Sequence, residues 1–134
     1  MLFRSLGALR IVDYKTGQPP SSSHVELGFS PQLPLEAAIA TAGGFAVVQA
    51  APVEALEVWR LTGGAEPGQI IPIKGDVAAL AADAIAGVRR LVAQYDDPAT
   101  PYESMPRAAF APQYSDYRHL ARIKEWAVGE EDGS

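Results

Sequence analysis

Cysteine is absent from this 134-residue chain, and that absence excludes several kinds of site. No disulfide framework can form, and the chain can hold no zinc ion or iron–sulfur cluster through cysteine ligands. The only two histidines, His24 and His119, stand far apart in the sequence. We interpret each of them as an ordinary surface or core residue rather than as a metal ligand.

Long apolar runs and clustered basic charge are also missing. We expect no membrane span, because no apolar stretch approaches the roughly 20 residues that one requires, and no secretory leader. Lysine and arginine total 11 against 16 acidic residues, giving a net charge of -5. Because binding to a phosphate backbone depends on clustered cations, this balance argues mildly against a free-standing nucleic-acid binder. It is compatible with a cytoplasmic domain that never contacts nucleic acid, and also with one that relies on other parts of a larger protein to hold it.

The residues that are present suit one folded domain of mixed α/β structure. Hydrophobic residues make up 48% and charged residues 20% of the chain, the proportions of a globular domain with a buried core. Apolar patterning predicts strands at residues 8–15, 55–61 and 69–74. Pro72 places the last of these at a sheet edge, because proline lacks the amide that a central strand needs.

Helices account for much of the rest of the prediction. Residues 32–42 read as one helix, with Pro34 confined to its first turn and Gly43-Gly44 ending it. Residues 76–95 form the clearest helix, capped by Asp76, and its apolar residues make one stripe that we expect to pack in the core. The remaining segments are predicted as loops at 17–24 and 99–112, a short helix at 117–127 and an acidic tail at 129–134.

The first predicted strand ends in a pattern that carries chemistry. Side chains alternate between the two faces of a strand, so Asp13 and Lys15 share one face and Tyr14 lies on the other. A carboxylate can hold a divalent metal ion, and a neighbouring ammonium can orient an attacking water. The spacing alone is weak, since a solvated ion pair on an edge strand gives the same pattern.

Several further segments give the chain a resemblance to a known family. They are Asp13-Tyr14-Lys15-Thr16-Gly17, Gln32-Leu33-Pro34-Leu35, Asp97-Pro98-Ala99-Thr100-Pro101-Tyr102 and the tail from Tyr114 to Arg122. Over residues 8–126 the chain resembles the carboxy-terminal nuclease domain of the AddB family, which is RecB-like and has the PD-(D/E)XK fold, in its alphaproteobacterial version. The absence of cysteine resembles the branch of that family without an iron–sulfur cluster. The fold implied is a partial PD-(D/E)XK, restriction-endonuclease-like α/β fold with a central mixed sheet flanked by helices.

The resemblance also implies roles for individual residues. Asp13 would bind Mg²⁺ or Mn²⁺, with the backbone carbonyl of Tyr14 as an additional ligand. Lys15 would position the attacking water and offset charge on the phosphate. Gln32 matches the glutamine of the family's Gln-x-x-x-Tyr element and would support the lysine or contact DNA. Glu36 stands where that element has tyrosine, and we expect it to be solvated.

Half of the family's metal site has no counterpart here. The family places another aspartate on a preceding strand, in a Gly-x-x-Asp-Arg-x-Asp segment, whereas no acidic residue precedes Asp13. The segment Leu2-Phe3-Arg4-Ser5 also matches the translated end of a common sequencing adaptor. We therefore expect a non-native or disordered leader over 1–7, the C-terminal part of a nuclease domain over 8–128, and a disordered acidic tail over 129–134.

These observations leave two functions to compare. The first is part of a metal-dependent DNA exonuclease in a helicase-nuclease that processes double-strand breaks with an AddA-type partner subunit. With its upstream ligands missing, we expect this chain to cleave DNA poorly on its own. The alternative is a non-catalytic module of the same fold that binds DNA or a partner. A generic α/β domain with an accidental Asp-x-Lys pattern is a third reading, which the tail motifs disfavour.

Overall fold

The sheet and helices are seen in a computed structural model that describes residues 2–5, 7–64 and 67–102. The elements, in chain order, are β1 Leu2–Ser5, β2 Ala8–Lys15, α1 Ser22–Glu26, α2 Gln32–Thr41, β3 Val53–Leu61, β4 Gly68–Pro72 and α3 Val77–Tyr95. None of the described helices combines the length and apolar character needed to cross a membrane.

The chain divides into two compact units, Met1–Tyr95 and Asp96–Ser134. The first unit contains every strand and helix named above. In the described part of the second, a turn is closed by Asp97, whose Oδ1 accepts a 2.9 Å hydrogen bond from the Ala99 amide. The predicted helix at 117–127, most of the loop at 99–112, the acidic tail and His119 all lie outside the described residues.

The four described strands form one mixed sheet in the order β1-β2-β3-β4. β2 and β3 are parallel neighbours, and β1 and β4 each pair antiparallel on the outer sides. The prediction of a mixed sheet flanked by helices is therefore confirmed, and Pro72 lies in an edge strand as expected. A parallel pair needs a long crossover connection, which α1 and α2 supply here.

The register sorts the side chains of the sheet into transverse rows, because residues paired across neighbouring strands share a face. Ile11 pairs with Leu56, and in the next row Asp13 pairs with Val58, which in turn pairs with Ile71. We call this side of the sheet the helix face. Its buried residues pack with those of the helices in one core, which comprises Leu9, Ile11, Leu33, Ala37, Ala40, Ala51, Leu56, Val58 and Ala81.

Most predicted boundaries agree with the structure to within two residues. The helix expected at 32–42 is α2, with Pro34 buried in its first turn and Gly43 in the left-handed conformation, at φ 74°. The helix expected at 76–95 is α3, where Asp76 Oδ1 accepts hydrogen bonds from the amides of Ala78 and Ala79 at 2.8 and 3.3 Å. That cap satisfies amides that the helix itself leaves without partners.

Two short elements were not predicted. The segment expected as a loop at 17–24 contains the start of α1, whose first turn is capped by the Ser21 side chain accepting from the His24 amide at 3.2 Å. The second is β1, which occupies part of the segment 1–7 for which we expected a leader. The pairing shows that residues 2–5 are a strand, and it has no bearing on whether they are native.

The apolar stripe of α3 is only partly core, which corrects our prediction for it. Ala81 is the one buried residue of the helix, and Val77 packs against the edge of the core. Further along, Val88, Leu91 and Val92 are 40%, 51% and 55% exposed. Helical periodicity identifies an apolar face, and the length over which a neighbour covers that face depends on the packing of the other elements.

Truncating a core leucine should destabilise the protein much more than truncating a leucine at the exposed end of the α3 stripe. Leu56→Ala removes a side chain that is 1% exposed, and we expect the free energy of unfolding to fall by about 3 kcal/mol because a cavity remains. Leu91→Ala should change it by less than about 0.5 kcal/mol, since that leucine is half exposed. Urea denaturation followed by circular dichroism measures both. Equal losses for the two variants would contradict the burial described here.

Candidate active site

Asp13 and Lys15 lie together at the carboxyl end of β2, on the helix face. The Lys15 ammonium is 2.9 Å from the Asp13 carboxylate, and the two side chains are 38% and 18% exposed. Their common face follows from strand alternation, as the sequence predicted. The pair is partly shielded from water, yet both groups remain accessible to a ligand.

A cleft opens directly beside this pair. Its volume is about 300 Å³, at the lower end of the range for small-ligand pockets. The residues lining it come from the end of β2, the following loop, α1 and the start of α2, and they are Asp13, Lys15, Gln18, Pro20, Val25, Ser30, Pro31, Gln32 and Leu33. The lining of the cleft therefore combines an ion pair, apolar side chains, and amide and hydroxyl groups.

The helices place the opposite wall of the cleft. Val25 of α1 and Leu33 of α2 are each 5% exposed, so each short helix is held against the body of the unit by a buried apolar side chain. Pro31 precedes α2 at its N-cap position, with no side-chain cap. The first helical residue, Gln32, is exposed at the rim and lines the same cleft as Asp13 and Lys15.

Gln32 is not bonded to the lysine. Its Nε2 donates a 3.1 Å hydrogen bond to Oε1 of Glu36, one turn further along α2. Glu36 is partly exposed, and its carboxylate accepts this bond across an i, i+4 spacing. The position that holds tyrosine in the resembled family therefore holds a carboxylate that bonds to the glutamine.

A further basic side chain lies next to the pair and was missed in the sequence. The register places Arg60 of β3 opposite Lys15, and Gln69 of β4 opposite Arg60. We call Lys15, Arg60 and Gln69 the polar row, which crosses three strands on the helix face. The signal was available in principle, because parallel strands bring their carboxyl ends together, but it required the unknown pairing of 55–61 with 8–15.

The reverse face of the sheet holds a second set of polar contacts. Glu57 is buried at 9% exposure and accepts a 2.9 Å hydrogen bond from the Trp59 indole. Its other oxygen lies 3.4 Å from the Arg10 guanidinium, and Trp59 meets the Tyr14 ring edge-on at 5.7 Å. These contacts satisfy a buried carboxylate on the side of the sheet away from the helix face.

The capacity of this site for metal is set by a single carboxylate. Mg²⁺ takes hard oxygen ligands, keeps several waters and is often bound through one or two carboxylates plus substrate phosphate. Asp13 fits that pattern as one protein ligand. Within residues 2–5, 7–64 and 67–102, no three acidic or histidine side chains converge. His24 takes no part in the cleft lining and packs against Phe29, with ring centroids 6.0 Å apart.

Comparison with protein families identifies the superfamily of this chain. A family model described as the PD-(D/E)XK nuclease superfamily matches residues 2–118, most of the chain. The chain belongs to this superfamily. Asp13 and Lys15, with one residue between them at the end of β2, both lie within the matched residues. No curated protein and no solved structure gives a match.

Removal of the buried carboxylate of this PD-(D/E)XK domain should cost stability. Glu57→Ala leaves the Trp59 indole and part of Arg10 without their acceptor, so we expect the free energy of unfolding to fall by about 1–3 kcal/mol. Glu57→Gln keeps an oxygen for the indole and should lose less. Chemical denaturation of the two variants checks the order. A larger loss for Glu57→Gln than for Glu57→Ala would contradict this account.

Loss of the cleft pair should cost little stability. Lys15→Met and Asp13→Asn break an ion pair that is partly exposed, and such pairs contribute about 0–1 kcal/mol. We expect both variants to unfold within about 1 kcal/mol of the parent, as measured by urea denaturation. This makes them suitable for functional assays. A loss as large as that expected for Leu56→Ala would show that the pair is a structural element of the core.

Proposed function

We propose that this PD-(D/E)XK domain hydrolyses phosphodiester bonds in DNA with the help of a divalent metal ion. The observation that carries the proposal is the 2.9 Å contact between Lys15 and Asp13 at the mouth of a cleft. A nuclease site requires an acidic metal ligand and a cation beside the scissile phosphate, and Asp13 and Lys15 would supply both from one strand end. Membership of a nuclease superfamily supports the same conclusion.

Each cleft residue has a separate task in this proposal. Asp13, with the backbone carbonyl of Tyr14, would hold Mg²⁺ or Mn²⁺, which supplies Lewis-acid polarisation of the phosphate when bound. Lys15 would leave its contact with Asp13, orient the attacking water and balance the charge that grows on the phosphate oxygens. Gln32, held by Glu36, would contact the DNA backbone at the rim of the cleft.

A more specific assignment rests on the sequence resemblance. We propose that the domain is part of an exonuclease in a helicase-nuclease that processes double-strand breaks for recombinational repair. Broken ends and single strands would be the DNA substrates, an AddA-type subunit the protein partner, and the cytoplasm the location. The segments that support this are those around Asp13 and Gln32, together with the stretch from Asp97 to Tyr102 and the motif beyond Tyr114.

A non-catalytic role is the alternative, and one observation favours it. Asp13 is the only acidic residue that lines the cleft in the described part of the chain, and a single carboxylate binds Mg²⁺ weakly. A domain with this composition could hold DNA or a partner subunit through the same cleft without cleaving a bond. The two functions differ in whether the phosphodiester bond is broken in the presence of metal.

Cleavage of labelled oligonucleotides tests the proposal directly. The chain is incubated with single-stranded and duplex DNA in Mg²⁺, in Mn²⁺ and in a chelator. We expect slow cleavage that requires metal and falls at least about 100-fold in both variants, because Lys15→Met removes the cation beside the phosphate and Asp13→Asn removes the proposed metal ligand. Arg89→Met, which removes an exposed cation on α3, is the matched control and should cleave as the parent does.

Two further measurements make each outcome decisive. Titration with Mn²⁺ should show weak binding that disappears in Asp13→Asn and persists in Lys15→Met. Binding of the same oligonucleotides is followed in the chelator by fluorescence anisotropy. DNA binding without any metal-dependent cleavage would favour the non-catalytic module, and cleavage that survives in Lys15→Met would show that the active site lies elsewhere.

A further inference from the structure

Arg60 carries a buried polar atom that the described part of the protein leaves without a hydrogen-bond partner. Its Nε is the one side-chain nitrogen or oxygen in the described residues that is both buried and without an acceptor. Leaving a donor in this state costs free energy. A guanidinium has five N–H donors and no acceptor, so only an acceptor group can satisfy it. Such a group is stabilised by any rearrangement or ligand that brings an acceptor to the guanidinium.

The position of Arg60 identifies what that ligand would be. It is the register partner of Lys15 across the parallel pair of β2 and β3, so the two backbones lie about 5 Å apart. Lys15 already has Asp13 as its anionic neighbour, whereas no ion pair of Arg60 occurs in the described residues. Two cations on paired residues, with one carboxylate bonded to Lys15, leave positive charge at the carboxyl ends of both strands.

We propose that Arg60 binds a phosphate of the DNA strand, adjacent to the phosphate that Lys15 contacts. The two contacts would direct the strand along the polar row. Guanidinium N–H groups match phosphate oxygens in a planar, bidentate fashion. Gln69, the next residue of the polar row, adds an amide donor on the same face of the sheet. This inference rests on the proposed function and extends it, since Arg60 acts in binding whether or not a bond is cleaved.

Arg60→Met is the informative substitution because it keeps an unbranched apolar side chain and removes the charge and the unsatisfied Nε. We expect the affinity for a short single-stranded oligothymidylate, measured by anisotropy in a chelator at low salt, to fall at least about tenfold. The slope of log affinity against log salt should become shallower by about 0.7, the value for one phosphate contact on a single strand. The melting temperature should stay the same or rise, since no donor is then buried without a partner.

Two controls separate a specific contact from general charge. Arg89→Met removes one positive charge from an exposed position of α3 and should change the affinity less than threefold. Arg60→Lys keeps the charge without the planar fork, and we expect it to recover only part of the affinity. Equal effects of Arg60→Met and Arg89→Met, or a lower melting temperature with unchanged DNA affinity, would overturn the inference.

The outcomes for Arg60 and for the proposed function are distinguishable. If the parent chain binds DNA, loses that binding in Arg60→Met and never cleaves with metal, the phosphate contact stands and catalysis by this chain is wrong. If the parent cleaves and Arg60→Met behaves like the parent in both binding and cleavage, catalysis stands and the contact is wrong. A parent chain that does not bind the oligonucleotide at low salt would overturn both.

Discussion

The parallel pairing of β2 with β3 is the constraint on which the rest of the unit depends. Its register brings Leu9 and Ile11 alongside Val53 and Leu56 in the core and leaves Lys15 beside Arg60 at the other end. A slip of one residue would turn every one of these side chains to the opposite face. The same hydrogen bonds therefore specify both the apolar interior and the arrangement of charge at the cleft.

The two faces of the sheet carry different kinds of contact: the candidate site lies on the helix face, and structural polar contacts lie on the reverse face. On the helix face, apolar rows from the interior give way within one row to Lys15, Arg60 and Gln69. On the reverse face, the Glu57 carboxylate contacts both the Arg10 guanidinium and the Trp59 indole, and it does not line the cleft. Strand alternation allows this separation, because neighbouring residues of one strand can contribute to structure on one side and to the candidate site on the other.

The sequence predicted those parts of the molecule that depend on local pattern. The strand ending at Lys15, the cap at Asp76 and the edge position of Pro72 each follow from the geometry of one or two residues. Arg60 was missed because its place beside Lys15 depends on which strands pair, a contact between residues far apart in the chain. The prediction that the whole α3 stripe packs in the core was wrong for a related reason. Periodicity identifies an apolar face but does not show how much of it other elements cover.

The contact between Lys15 and Asp13 also has a thermodynamic consequence. A divalent ion that took the carboxylate would compete with the ammonium 2.9 Å away and would release a cation for phosphate. In the proposed function, metal and DNA would therefore favour each other through one shared side chain, and linkage requires such an effect to be reciprocal. DNA would raise the affinity for the ion by the same factor by which the ion raises the affinity for DNA, so a weak one-carboxylate site would gain its metal chiefly when substrate is present.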